Sequence, residues 1–292
     1  MKKDHIRELV VLSGKGGTGK TSISASFAVL AGKAVLTDCD VDAADLHLLL
    51  RPEIEQRHAF FSGNEAVIRQ QDCTGCGTCL DICRFKAINT TGASYQVDPV
   101  ACEGCGVCVR FCPASAIDFP KRNCGEWMVS TTRCGPMVHA HLGIAAENSG
   151  KLVSTVREQA WCIAVDKRIP LIISDGPPGI GCPVIASMSG VSLALVVTEP
   201  TVSGLHDLQR VLALARHFSV PAAVCVNKWD INPGQTERIE AAARSAGAEV
   251  TGRIRYDRSV TQAQHQQKAV VELTTAAADD IRLVWKQTAA ML

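Results

Sequence analysis

Eight of the fourteen cysteines in this 292-residue chain fall between residues 73 and 112. They make two runs of one pattern. Cys73-x2-Cys76-x2-Cys79-x3-Cys83 returns as Cys102-x2-Cys105-x2-Cys108-x3-Cys112, offset by 29 residues and followed by Pro113. The tails repeat as well: Phe85-Lys86-Ala87-Ile88 answers to Ala114-Ser115-Ala116-Ile117. Spacings this short let three thiolates wrap one face of a metal–sulfur cube while backbone N–H groups point at its sulfides. Zinc sites take their four ligands as two pairs rather than runs of four. Disulfides need an oxidising compartment. Met1 to Glu8 holds no signal-peptide core, and the apolar run Leu9 to Leu12 is too short for one, so a cytoplasmic protein is expected.

A second constellation opens the chain. Gly14-Lys15-Gly16-Gly17-Thr18-Gly19-Lys20-Thr21 fits the P-loop pattern in full, entered by a strand and left by a helix. Glycines let such a loop curl until successive N–H groups face the α- and β-phosphates of a nucleotide. The helix start adds its positive dipole end. Lys20 is then expected to reach the β/γ-phosphates, and the Thr21 hydroxyl to ligate Mg²⁺.

The extra lysine, Lys15, gives the loop a family likeness. It resembles the deviant Walker A motif of the Min/Par-type (MinD/ParA) ATPases, a group that includes the nitrogenase iron protein, the arsenite-pump ATPase and the Mrp-type iron–sulfur carriers. The resemblance implies that Lys15 reaches the partner's phosphates in an ATP-dependent homodimer. Asp38-Cys39-Asp40-Val41-Asp42 resembles switch I, with carboxylates suited to Mg²⁺ and to orienting a hydrolytic water; Asp40 and Asp42 both qualify, Asp40 slightly better. Asp175-Gly176-Pro177-Pro178-Gly179 resembles switch II, with Asp175 near Mg²⁺, and Asn227-Lys228 stands where the family contacts the base. The cysteine runs resemble the two-cluster bacterial ferredoxins, with Arg84 in place of the usual proline of the first copy. In those proteins the fourth cysteine crosses over. The resemblance therefore implies one 4Fe–4S cluster on Cys73, Cys76, Cys79 and Cys112, and another on Cys102, Cys105, Cys108 and Cys83. Cys182 stands seven residues after Asp175, an offset that resembles a bridging-cluster ligand of the nitrogenase iron protein, with Cys134 as a candidate second ligand. Cys39, Cys162 and Cys225 read as small buried hydrophobes. His139 and His141 share a face if their segment is a strand.

These groups need a scaffold. The chain is 47% apolar and 20% charged, enough for a real core. Its 30 basic and 29 acidic residues leave a net charge of +1, which argues against a nucleic-acid partner held by bulk charge. No stretch approaches the roughly 18 continuous apolar residues of a membrane span, so no membrane insertion is expected. Strands are expected at Glu8–Ser13, Ala34–Asp38, Leu171–Asp175, Leu193–Thr198 and Ala222–Val226. Helices are expected at Lys20–Leu30, Lys151–Lys167, Ser203–His217, Thr236–Ala246 and about Thr275–Ala290, the last packing through Ile281, Val284, Trp285 and Thr288. The alternation predicts an α/β fold, a doubly wound, mostly parallel sheet formed by residues 1–63 and 120–292, with a small α+β ferredoxin-like domain inserted at 64–119. The α/β pattern is expected to resume near Glu126. The resemblance as a whole implies a weak ATPase coupled to electron transfer with an unidentified redox partner protein. The alternatives are a redox-sensing dimer switch and an iron–sulfur scaffold of the Mrp type.

Overall fold

The computed structural model describes residues 6–92, 94–143, 146 and 148–292. Contacts divide the chain into two units, one of Met1–His58, Trp127–His141 and Ser149–Leu292, the other of Ala59–Glu126 and Leu142–Asn148.

The first half of the chain forms β1 (Arg7–Ser13), α1 (Lys20–Ala31), β2 (Val35–Asp38), α2 (Leu46–Leu50), β3 (Glu53–Asn64), β4 (Val67–Ile68), α3 (Thr78–Ile82), β5 (Ile88–Thr91), β6 (Ser94–Val97), α4 (Val107–Phe111), β7 (Ile117–Asp118), β8 (Lys121–Thr132) and β9 (Gly135–Leu142). The second half forms α5 (Ser149–Asp166), β10 (Leu171–Pro178), α6 (Cys182–Met188), β11 (Leu193–Thr198), α7 (Val202–His217), β12 (Ala222–Asn227), α8 (Pro233–Ser245), β13 (Glu249–Ile254), α9 (Ser259–His265) and α10 (Ala276–Ala289).

Nine strands make one sheet in the order β13-β12-β11-β1-β10-β2-β9-β8-β3. From β13 to β9 every pairing is parallel. Parallel strands need both faces covered, so β1 and β11 read as unbroken apolar runs and are buried almost end to end. Period-two alternation then divides one strand between two cores. Leu9 and Val11 join Phe27, Leu36, Met137 and Ile281 on one face, while Val10 and Leu12 join Val196, Leu208 and Ile239 on the other. The expected stripe on α10 packs as drawn: Ile281, Val284 and Thr288 are buried, and the Trp285 ring lies 4.9 Å from that of Phe27. Among the described residues no helix is long and apolar enough to cross a membrane.

The sequence reading missed several elements. The α/β pattern resumes at Lys121, not near Glu126, with the twelve-residue β8. Only two residues separate β8 from β9, so the two run antiparallel. The polar residues and weak alternation of β8 hide it, because it and β3 are only partly buried. Helix α8 begins three residues before the expected Thr236. Pro233 and Gly234 have loop composition, yet proline suits the first helical turn, and Asn232 caps it by accepting from Gln235 N at 3.1 Å.

The smaller unit shows its internal repeat in three dimensions. Helices α3 and α4 each start behind a glycine with positive φ, Gly77 and Gly106. Ala87 N donates to Cys83 Sγ at 3.4 Å, and Ala116 N donates to Cys112 Sγ at 3.3 Å. Strand β4 pairs antiparallel with β7, and β5 pairs with β6. Ala66, Ile68, Cys79, Ile88 and Ile117 form its small core. Its bounds fall outside the expected 64–119, because β3 and β8 carry the chain in and out as continuous strands and 142–148 joins it.

Candidate functional site

The glycine-rich loop joins β1 to α1 at the C-terminal edge of the sheet, the edge where open α/β sheets bind ligands. Gly16 and Gly17 face open space. Gly19 has φ of +89°, and a Cβ there would strike the Asn227 amide. Only glycine therefore lets β12 approach the loop, where Asn227 Nδ2 donates to Thr18 O at 2.7 Å. Asn227 thus supports the loop from below. A cleft opens over Gly16 to Ser22, walled by Asp40, Asp42 and Pro178.

Two buried polar atoms here lack hydrogen-bond partners, Lys20 Nζ and Thr18 Oγ1. The lysine is only 7% exposed and lies 3.2 Å from Asp175 Oδ1 and 3.6 Å from Asp40 Oδ2. Burial pulls its ammonium toward neutrality, but the charges of Asp175, Asp40 and Asp38 prevail and hold it above the ordinary lysine value. Burial, reinforced by Asp175, drives the Asp38 carboxyl well above the usual range against the pull of Lys20. Asp40 is also raised, by burial first. Three carboxylates thus share one lysine, an excess of negative charge that fits a divalent cation.

The carboxylates are placed differently. Asp175 lies within the buried run of β10, accepting from Thr21 Oγ1 and Ser24 Oγ at 2.7 Å each. Thr21 and Asp175, expected at Mg²⁺, are therefore in direct contact. Asp38 instead accepts from Asp40 N at 3.1 Å and Leu46 N at 3.0 Å, holding the following loop. Each of its oxygens takes one backbone N–H and keeps a lone pair, so Asp38 can act toward Mg²⁺ through a water of its shell. Asp40 is within ion-pair reach of Lys20, and Asp42 is exposed at the cleft wall.

Lys15 turns away from the cleft. Its ammonium lies 2.5 Å from Glu199 Oε1 and 3.3 Å from Ser203 Oγ. Lys228 reaches the same carboxylate at 3.1 Å and Gly17 O at 3.1 Å. Glu199, just after β11, was missed from sequence; its position at the C-terminal end of a central strand was the available signal. Ser24 and Gln264 were missed too. The second lines the cleft and donates to Ser22 Oγ at 3.2 Å. Burial tends to raise the Glu199 carboxyl, but Lys15 and Lys228 hold it below the usual range. Its stabilising contribution is therefore present above the unfolded-state carboxylate value and is lost as pH falls through the lower folded value. Acid unfolding of wild type and Glu199→Gln should show a stability difference that shrinks below about pH 4.5. A pH-independent difference would mean that charge pairing contributes nothing there.

In the smaller unit Cys73, Cys76 and Cys79 line a small cavity together with Cys112. Cys102, Cys105 and Cys108 line another together with Cys83. Each cavity takes three cysteines from one repeat and the fourth from the other. Among the described residues no three His, Cys, Asp or Glu side chains converge as on a single metal ion. Four ligands of a four-iron cube bind four different iron atoms and stand farther apart. The donor set and its arrangement fit such a group.

The remaining cysteines are scattered. Cys39 and Cys225 are buried as expected, and burial pushes the Cys39 thiol up to about 12. Cys162 is exposed instead, on the solvent side of α5. Cys124 is buried and donates to Ser62 O at 3.1 Å. Cys182 is exposed at the start of α6 beyond the C-terminal end of β10, whereas Cys134 is buried where its carbonyl accepts from Ala34 N, just before β2. Given the parallel register of β2 and β10, about 20 Å of strand separates those two levels. Cys134 and Cys182 therefore cannot share one bridging cluster. His139 and His141 do lie on β9, but His139 is buried, with Nε2 2.9 Å from Ser130 Oγ, while His141 is exposed.

Solved structures with this architecture include the cell division ATPase MinD of Pyrococcus furiosus, with a TM-score of 0.58, 17% identity and coverage of 98% of this chain and 99% of that one. The septum site-determining protein MinD of Pyrococcus horikoshii, complexed with Mg-ADP, matches at 0.57 and 18% over 97% and 96%. At such identities the likeness is one of fold. An uncharacterised protein of Methanocaldococcus jannaschii is 35% identical over 235 residues, covering 78% of this chain and 80% of its own length, and a second from that organism is 24% identical over 253 residues, covering 77% and 81%. The CobQ/CobB/MinD/ParA nucleotide binding domain model matches residues 9–270, a span that contains the whole phosphate cradle, and the chain belongs to that family.

Proposed function

We propose that this ATP-binding protein uses ATP binding and hydrolysis to gate electron transfer to or from a partner protein through two 4Fe–4S clusters held by the smaller unit. The observation that carries the reading is the pair of cysteine cavities, each supplied three-plus-one by the two repeats. The clusters, when bound, supply one-electron transfer. The chain's own residues do the rest. Cys73, Cys76, Cys79 and Cys112 hold one group, Cys102, Cys105, Cys108 and Cys83 the other. Lys20 and Thr18, with unpartnered polar atoms, meet the phosphates, and Thr21 with Asp175 holds Mg²⁺. Asp40 or Asp42 orients the attacking water; Asp40, beside Lys20, is the nearer to the phosphate site. The loop with its additional Lys15 supports a deviant Walker A ATPase related to the nitrogenase iron protein and the Mrp-type carriers. The Mrp-type scaffold role is disfavoured, because four cysteines per site suit retention rather than handover.

The test is anaerobic. Protein reduced by dithionite and freed of excess reductant is mixed with an oxidised one-electron dye. MgATP is expected to change the transfer rate, and MgADP is not. Equal rates in both nucleotides would remove the gating.

The same reading assigns Lys15 to the nucleotide of a second copy. Within one chain Glu199 holds it back at 2.5 Å. Lys15→Ala should keep nucleotide binding and lose ATP-dependent dimerisation by light scattering. Glu199→Gln, which frees the lysine, should dimerise at lower ATP concentration than wild type. If Lys15→Ala dimerises like wild type, the cross-subunit role is wrong.

A further inference from the structure

The two cysteine cavities are built on one repeat, but their surroundings differ in hydrogen-bond donors. We propose that Thr78 and Tyr95 give the site on Cys73, Cys76, Cys79 and Cys112 the more positive reduction potential of the two. An electron entering this chain then settles there, and the site on Cys102, Cys105, Cys108 and Cys83 is the lower-potential relay. This rests on the reading of the cavities as four-iron sites.

The 29-residue offset sets equivalent positions side by side. Cys76 and Cys105 are the exposed cysteines of their repeats. Thr78 Oγ1 lies 3.4 Å from Cys76 Sγ. With the sulfur as an iron-bound thiolate, only the hydroxyl can donate. Val107 is the equivalent residue of the second repeat, and its side chain has nothing to donate. A second difference comes from outside the repeats. The Tyr95 hydroxyl would lie 3.3 Å from a Cβ placed on Gly77, whereas a Phe119 ring carbon would lie 3.3 Å from one placed on the equivalent Gly106. The same backbone turn therefore meets an O–H at the first cavity and a C–H at the second. Reduction adds negative charge to the cluster and its sulfurs. Donors aimed at those atoms stabilise the reduced form more than the oxidised one and raise the potential.

Net charges do not reverse this order. Glu103 lines the second cavity where Thr74 lines the first, which makes reduction there harder. Arg84 and Lys86, flanking the Cys83 side, act in the opposite sense, as do Asp81 on α3 and its counterpart Arg110 on α4. All five side chains are exposed, where water and salt screen them. Arg122 reaches Cys102 O at 3.4 Å, but its guanidinium is also 4.0 Å from Glu65. The hydroxyl dipoles, in contact with the site, decide.

The experiment is a redox titration of anaerobic, full-length protein with dithionite and mediators, followed by electron paramagnetic resonance. Each four-iron site takes up one electron from dithionite, so wild type should show two waves. Thr78→Val should move the more positive wave to a more negative potential and leave the other in place. Tyr95→Phe should move the same wave in the same direction. Val107→Thr should move the more negative wave upward. With eight iron per chain retained, a Thr78→Val protein whose waves are both unmoved, or whose more negative wave alone moves, overturns the ordering. Wild-type protein that takes up no iron overturns the cluster reading itself, and iron analysis before titration separates the two failures.

Discussion

Lys20→Ala is expected to bind ATP roughly 30-fold to several thousand-fold more weakly than wild type, the equivalent of about 2–5 kcal/mol for truncating one partner of a buried charge pair. The Lys20 ammonium is enclosed, within ion-pair distance of Asp175 and Asp40, and lacks a hydrogen-bond partner of its own. A nucleotide's β/γ oxygens would complete it. The substitution also acts before any ligand arrives. Asp38 and Asp175 are 0% and 1% exposed, and without the ammonium their negative charges face each other and Asp40. The nucleotide-free variant should therefore unfold at lower temperature and regain part of the loss with millimolar Mg²⁺, which can replace the missing charge. Calorimetric titration with MgATP and melting curves with and without Mg²⁺ read the two effects separately. ATP affinity within threefold of wild type would refute the phosphate role of Lys20. Melting that ignores Mg²⁺ would remove the cation from the carboxylate cluster.

Some of this site was legible in the sequence because chemistry there is local. A P-loop is eight consecutive residues, and its glycines, lysine and threonine must be adjacent to work. The central strands were equally plain, since burial on both faces leaves unbroken apolar runs such as Leu193–Thr198. What stayed hidden was set by tertiary contact. Glu199 matters because β11 delivers it to Lys15, 184 residues earlier in the chain. Asp38 also holds the loop that follows it, accepting from Asp40 N and Leu46 N, a role its residue type does not announce. Cys134 and Cys182 looked like a pair by residue type and by one offset, yet strand direction puts them at opposite edges of the sheet. Strand β3 is largely exposed and β8 only partly buried, and their alternation is correspondingly blurred.

Paired cysteine substitutions should separate the crossed arrangement from the simpler one in which each repeat holds its own cluster. Cys79 shares a cavity with Cys112, 33 positions away, whereas Cys83, four positions away, lines the other. The local geometry is reciprocal: Ala87 N donates to Cys83 Sγ and Ala116 N to Cys112 Sγ, so each fourth cysteine is fixed at the same point of its own repeat. Wild-type protein purified without oxygen is expected to hold about eight iron and eight sulfide per chain. Cys79→Ala with Cys112→Ala removes two ligands from one cavity, and about four iron should remain. Cys79→Ala with Cys83→Ala removes one ligand from each cavity, so both clusters lose a thiolate and well under four iron should remain. If each repeat held its own cluster, the outcomes would reverse. The second pair would then keep four iron, and the first would lose both clusters. The two doubles remove the same number of thiols from the same small core, so a general loss of folding would lower both alike, and circular dichroism of each identifies that case. Equal iron in two folded variants would sink the crossed assignment, and stoichiometric zinc without labile sulfide in wild type would sink the clusters themselves.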